Sequence, residues 1–337
     1  MPSSVALADP QPVLAGAPHP HARRLQRLQR WRRATQLGFF ALFLAAPALD
    51  LLRFDLHTAQ LWLLGAPWHL GIDAFLAGQA SATDAALGIV LRGMLPALLL
   101  VGGFLAVASR FGRVYCGWLC PHFSVVESIN RLMARASGKA SVWDRHLLPA
   151  WKPDGRPARV DARWWGVVVP AAVGFAFLWA VVLLTYLLPP AQVYGNLFAG
   201  ELTRNQAIFL TAATVVLSLE FLFARHLFCR FVCAVGLFQS LAWMGNRDAL
   251  VVGFERERAS DCSNCLPDRQ SACDAACPMR LRPRNIKRHM FTCTQCRQCV
   301  DACATTQHAN PQGPLLSWVA GEAARQNEAG FRALKDR

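Results

Sequence analysis

The sequence predicts an all-α membrane bundle of four transmembrane helices in two repeated hairpins, followed by a small C-terminal α+β ferredoxin-like domain with two clusters. Three observations lead there. Of 337 residues, 54% are apolar and only 17% charged. Soluble domains run at about 25% charged, so this chain cannot clothe an ordinary globular surface. Four apolar stretches approach the roughly 20 residues that a helix needs to cross a bilayer. Twelve cysteines fall in spaced groups instead of being scattered.

Taken in order, residues 1–33 read as a basic, disordered segment, with Ala and Pro abundant at its start. Residues 34–246 read as the membrane domain. Its spans are placed at 34–52, 85–109, 164–188 and 206–224, the third uncharged throughout. Pro47, Pro96 and Pro170 fall inside spans, which lipid-embedded helices tolerate. AAPA at the end of the first span resembles a cleavage site, but the long leader and long apolar run favour a retained helix. Residues 54–76, with Trp62 and Trp68, are too short to cross and fit the outer interface. Arg92 and Glu220 lie near span ends and read as snorkelling charges. Residues 247–310 read as the cluster domain and 311–337 as a tail.

Charge placement sets the orientation. Lys and Arg number six before the first span, ten in 110–163 and sixteen from 225 onward, whereas the two other loops hold one each, Arg53 and Arg204. The positive-inside rule then places both termini and the ferredoxin domain in the cytoplasm of a bacterial inner membrane. Topology accounts for the net charge of +14, so nucleic acid is not an expected partner.

Cys293, Cys296, Cys299 and Cys303 follow the x2-x2-x3 spacing that binds a [4Fe–4S] cluster, the fourth thiolate serving the other cluster of a pair. The companion run is Cys262, Cys265, Cys273 and Cys277, with Pro278 after it and an x7 gap that can loop out. Crossed ligation pairs Cys262, Cys265 and Cys273 with Cys303, and Cys293, Cys296 and Cys299 with Cys277. A zinc ribbon also uses CxxC pairs, but the triple spacing and Pro278 favour iron–sulfur. A disulfide framework does not suit a reducing compartment.

Four cysteines remain. Cys116 and Cys120 follow the second span as VYCGWLC, and Cys229 and Cys233 follow the fourth as LFCRFVC. The matching contexts suggest an internal repeat whose two thiol pairs meet at the inner membrane face. The spacing of four places each pair on one helix face. Soft thiolates select Cu(I), zinc or iron–sulfur, and His122 and His226 stand close enough in sequence to add ligands. The plainer reading of these cysteines is small buried hydrophobes. The sequence carries no phosphate loop, dinucleotide fingerprint or HExxH.

YCGWLCPH, FCRFVCAVGLFQS and the two ferredoxin runs, following apolar spans, resemble the bacterial membrane polyferredoxins of the NapH and FixG/RdxA/CcoG type across about residues 35–318. Ala234 stands where those families carry a proline. The resemblance implies a membrane electron-transfer protein, an oxidoreductase or its subunit. Its redox partner is then a protein or quinone. The CcoG side implies Cu(II) reduction to Cu(I) alongside cytochrome oxidase assembly factors. The NapH side implies quinol oxidation feeding a periplasmic reductase. A non-enzymatic metal-holding assembly factor is the third reading.

Overall fold

A computed structural model describes residues 20–267 and 270–335. Helix α1 (Pro20–Ala48) opens the described chain. The segment expected to be disordered up to residue 33 is therefore helical from Pro20 on, while residues 1–19 lie outside the described residues. The reason is tertiary. Arg32 is buried and forms an ion pair with Glu127 of helix α4 (Pro121–Ser137). Its Nε also donates to the Gly117 carbonyl at 3.0 Å.

Three helices among the described residues are long and apolar enough to cross a membrane: α2 (Ala82–Phe111), α5 (Ala162–Thr185) and α7 (Arg204–Ala224). They correspond to the second, third and fourth expected spans. Helix α1 does not join them. Its apolar part, 34–48, rises only about 22 Å at 1.5 Å per residue, against a bilayer core of about 30 Å. Beyond it the chain turns at Asp50 (φ 51°) into strand β1 (Leu52–Asp55).

The sheet β1–β2–β3, with β2 Gln60–Leu63 and β3 Ala66–Trp68, is antiparallel and occupies most of the stretch expected to lie along an interface. It is tied to the end of α5 where Phe54 N donates to the Tyr186 carbonyl at 2.9 Å.

Capping boxes begin two spans: Ser81 with Asp84 for α2, and Thr203 with Gln206 for α7. Helices α5 and α7 pack as an antiparallel pair. Ala172, Ala176 and Ala180 repeat at four-residue spacing and are fully buried, which lets helices approach closely. Phe221 and the Val125, Val126 and Ile129 face of α4 close this core. Helix α6 (Pro190–Ala199) covers the far end through Val193. By contrast α2 leaves Leu98, Leu99 and Leu100 exposed, a surface suited to lipid. It packs against α8 (Ala234–Gly245).

The cluster domain begins with β4 (Val251–Phe254), which pairs antiparallel with β5 (Leu316–Val319). The expected tail, 311–337, is therefore built into the domain as far as it is described, through residue 335. Strand β5 completes the sheet, and helix α11 (Glu322–Lys335) places Ala324 in the core beside Val251. Asn327 Oδ1 accepts from Phe254 N at 3.1 Å. The short helix α9 (Ala272–Ala275) and helix α10 (Gln298–Thr306) carry three of the cysteines.

Candidate iron–sulfur and membrane-face thiol sites

The cysteines expected to hold the first cluster come together from distant parts of the cluster domain. Cys262, Cys265, Cys273 and Cys303 all line one cavity of about 110 Å³, with Ser271, Arg284 and Gln307. Ser271 lies 3.2 Å from the Cys273 sulfur, and Arg284 pairs with Asp274 at 2.8 Å. Burial pushes the Cys273 thiol up to about 12. A four-thiol pocket with a nearby guanidinium suits an anionic thiolate-ligated group, so the donors fit the expected cluster. Of the x7 stretch, Leu266 is buried against Ala272 and Ala302, and residues 268–269 lie outside the described residues.

The second expected set, Cys277, Cys293, Cys296 and Cys299, is also gathered. Burial raises the Cys299 thiol, and its charge neighbours are Cys296, Cys293 and Cys277, then Cys273 of the first set. The two sets therefore adjoin through Cys299 and Cys273. Gln295 (φ 51°) and Arg297 (φ 63°) take left-handed conformations, turning the chain tightly between the cysteines. The Cys277 sulfur accepts from Leu281 N at 3.4 Å.

The membrane cysteines do not share an unbroken helix face. Cys116 lies in the short helix α3 (Val114–Trp118), and Cys120 is the N-cap of α4. Cys229 lies in a π-helical turn (Phe228–Val232), and Cys233 is the N-cap of α8. Each pair straddles a helix break, so the expectation of one face gives way to a shared cap geometry. Cys120 has φ −56°, ψ 117° and Cys233 has φ −67°, ψ 107°. Pro121 at the first helical position favours the break. Ala234 adopts the same place without proline.

All four thiols lie within electrostatic reach of one another. Burial raises Cys229, with Cys120, Cys116 and Cys233 as neighbours. Burial raises Cys116 to about 12, with Cys120 and Cys233 among its neighbours. Gln239 Nε2 lies 3.5 Å from the Cys116 sulfur, directed as a donor. Arg113 is 1% exposed and has no carboxylate partner among the described residues. Its Nε donates to Ser240 Oγ at 2.5 Å and its Nη1 to the Cys229 carbonyl at 2.8 Å. Its charge neighbours are the thiols of Cys116, Cys233, Cys229 and Cys293. Gly236 leaves room for it, since a Cβ there would lie 2.9 Å from Nη1.

The cluster domain docks directly on these pairs. Cys120, Cys229, Cys277 and Cys293 border one core with Phe123 and Trp243. Trp118 Nε1 donates to the Gln295 carbonyl at 3.0 Å, and Ser240 Oγ to the Phe291 carbonyl at 2.6 Å. Gly117 lies so close to the Thr294 carbonyl that any Cβ would collide with it. Gln29 of α1 donates to the Cys296 carbonyl at 3.0 Å, and Gln298 to Glu127 at 2.7 Å. Sequence reading missed this clamp by α1. Arg32 and Gln36 stand one helical turn apart, a signal for a shared buried face.

His122 and His226 do not both join the thiols. His122 is turned to Glu220, 3.4 Å away, among the rings of Phe221, Phe228 and Trp179. Burial lowers His226 to about 4, beside Arg280, Arg225 and Arg230, so it stays neutral. Glu220 does not snorkel. Its side chain is 11% exposed, and the π-helical turn Glu220–Ala224 carries it inward. Arg92 is exposed, with Nη1 directed to the His69 carbonyl at 3.4 Å. Among the described residues, no three His, Cys, Asp or Glu converge as a single-ion site.

A second cavity, of about 410 Å³, opens beside the membrane-face thiols between α2 and α3. Leu99, Phe104 and Val107 make it apolar, and Tyr115, Trp118 and Gln239 also border it. Gln239 thus borders both the cavity and Cys116.

The family described as "4Fe-4S binding domain" matches residues 94–140 and 206–248, one cysteine pair in each. Curated relatives span most of the chain. A putative electron transport protein YccM of Escherichia coli is 26% identical over 81% of this chain and 72% of its own length. The methylamine utilization ferredoxin-type protein MauN of Methylorubrum extorquens is 27% identical over 73% of this chain and 76% of its own. The ferredoxin-type protein NapH of Haemophilus influenzae is 22% identical over 81% of this chain and 86% of its own. No solved structure matches.

Proposed function

We propose that this chain, similar to ferredoxin-type membrane proteins and matched by a 4Fe-4S binding family, carries electrons between two [4Fe–4S] sites and the membrane face. The single observation that carries this reading is the order of its thiols. The first set adjoins the second through Cys273 and Cys299, and the second shares a core with Cys120 and Cys229. Cys262, Cys265, Cys273 and Cys303 hold one cluster; Cys277, Cys293, Cys296 and Cys299 hold the other. Bound there, iron–sulfur clusters supply one-electron exchange. The protein's part is to hold the sites in contact, exclude water and fix the surrounding charge. Arg113 and Arg284 place positive charge beside thiolates, and buried backbone amides such as Leu281 N donate to sulfur.

The lipid-side partner in this reading is a quinone. The support is the apolar cavity bordered by Gln239, which also contacts Cys116; its Leu99, Phe104 and Val107 lining suits a lipid-soluble ring. Copper reduction draws its support from the softness of the four membrane-face thiols. The bilayer in question is the bacterial inner membrane, with the cluster domain cytoplasmic and α1, short in its apolar part, running from Gly117 at the cluster side to Tyr186 at the far end of α5. In this arrangement the basic loop 110–163 shares the cluster side. The test is reduction of a short-chain quinone and of Cu(II) by chemically reduced, anaerobically purified protein. Cys296→Ser should lose one cluster signal and the transfer with it. Transfer that persists at full rate in that variant refutes the relay.

A further inference from the structure

We propose that the loop joining α4 to α5, residues 138–163, binds the headgroups of anionic phospholipids on the cluster side of the bilayer. This binding needs a bilayer around α5 and α7, and no electron transfer.

The loop carries six Lys/Arg and three carboxylates. Each carboxylate is already engaged. Asp144 pairs with Arg280, Asp154 lies 3.8 Å from Arg156, and Asp161 accepts from the Arg163 backbone N–H at 2.9 Å. Arg145, Arg159 and Arg163 are exposed. Among the described residues their guanidinium groups have neither a carboxylate nor a hydrogen-bond partner.

Exposed arginines alone would make an ordinary solvated face. Here they share the loop with large exposed apolar side chains: Trp143 is 69% exposed, Leu147 63% and Val160 54%. A Cβ on Gly138, the C-cap of α4, would lie 3.1 Å from Val160 and 3.5 Å from Leu147, so those two side chains meet over the end of α4. Trp143 is fixed to the end of α7. Its Nε1 donates to the Phe223 carbonyl at 3.1 Å, and the two rings lie 6.2 Å apart. Arg163 directly precedes Trp164 and Trp165 in the opening turns of α5.

The loop therefore touches the ends of two spans. Exposed Val167, Val169 and Val173 continue its apolar surface along α5. Tryptophan beside span ends is typical of the membrane–water boundary. Basic side chains clustered there attract anionic lipid. Both halves of the surface thus find a match in one molecule: acyl chains for the apolar side chains and a negative headgroup for the guanidinium groups. Lys152 marks the limit of the surface. Its neighbour Trp151 packs with Leu266, Ala272 and Ala302, so that turn belongs to the cluster domain.

The first measurement is arginine modification by phenylglyoxal, mapped by mass spectrometry on the full chain in nanodiscs. Adding phosphatidylglycerol to phosphatidylcholine discs should protect Arg145, Arg159 and Arg163. Full reaction of all three in the anionic discs would overturn the proposal and leave this face open to a soluble protein. Equal protection by inorganic phosphate in phosphatidylcholine discs would also overturn it, since the surface would then be a free-phosphate site. The second measurement is retention of phosphatidylglycerol over phosphatidylcholine, counted by native mass spectrometry. Arg145→Gln, Arg159→Gln and Arg163→Gln should each lower that preference about fivefold, and Lys152→Gln should leave it nearly unchanged. A triple arginine variant with the native preference would place the anionic lipid elsewhere and sink the proposal. The labelling uses the native chain, so it decides even if the variants fail to accumulate.

Discussion

At the scale of single residues, charges are spent where sulfur and docking need them. Arg113 lies beside Cys293 as well as the membrane-face thiols. A nearby cation favours the more negative, reduced state of a cluster. Arg113→Gln should therefore lower the potential of the centre near Cys293, read by a redox titration followed by EPR; an unchanged potential would remove Arg113 from that role. Glu127 is the other focus, since Arg32, Gln36 and Gln298 all converge on its carboxylate. Glu127→Leu leaves Arg32 buried and unpaired. A loss of about 3–5 kcal/mol is expected, measured by chemical unfolding in detergent. The double variant Arg32→Met, Glu127→Leu should recover much of it, because the second change removes the stranded charge.

At the scale of elements, the break between α3 and α4 brings the Cys116 pair against the cluster domain. Gly117 is the contact point, with the Thr294 carbonyl where a side chain would begin. Gly117→Val should separate the loop 293–296 from the membrane domain. The expected outcome is faster hydrogen exchange in that loop and loss of iron from the second set, while Gly102→Ala, in open space on α2, changes neither. Helix α11 is held partly by Arg325 on Asp248 at 2.6 Å. That hydrogen bond holds the Asp248 carboxyl below its ordinary value. A depressed folded-state value gives stability above the unfolded range and loses it as pH falls through the folded value. Proteolysis at α11 should therefore increase in acid, and Asp248→Asn should abolish the pH dependence.

At the scale of the whole molecule, the membrane domain is a frame that presents two thiol pairs to a docked ferredoxin unit. Its orientation is checked by reporter fusions: after residues 140 and 335 they should read cytoplasmic, and near 70 and 198 periplasmic. A periplasmic signal after 335 would invert the relay. Helix α1 is the decisive element for span number, since its charged half packs on Gly117 and Glu127 at the cluster side. That contact pins one end of α1, so a fusion after residue 50 should read opposite to one after 140.

The cysteine spacing by itself pointed to iron–sulfur chemistry, because such ligation demands several thiolates within a few residues of each other. Uncharged length determined three spans, since nothing but lipid or a large core accepts such runs. The gathering of Cys303 with Cys262, Cys265 and Cys273 around one cavity was legible too. Other features depended on partners far away in the chain. The basic run of α1 reads as disordered until Glu127, Gly117 and Cys296 supply acceptors for it. Residues 311–335 read as a tail until β5 finds β4. Glu220 reads as a snorkelling charge until a π-helical turn faces it to His122. Local composition records how a segment meets water or lipid. Only tertiary packing decides which buried charge has a partner, and so which thiols, helices and cations form one site.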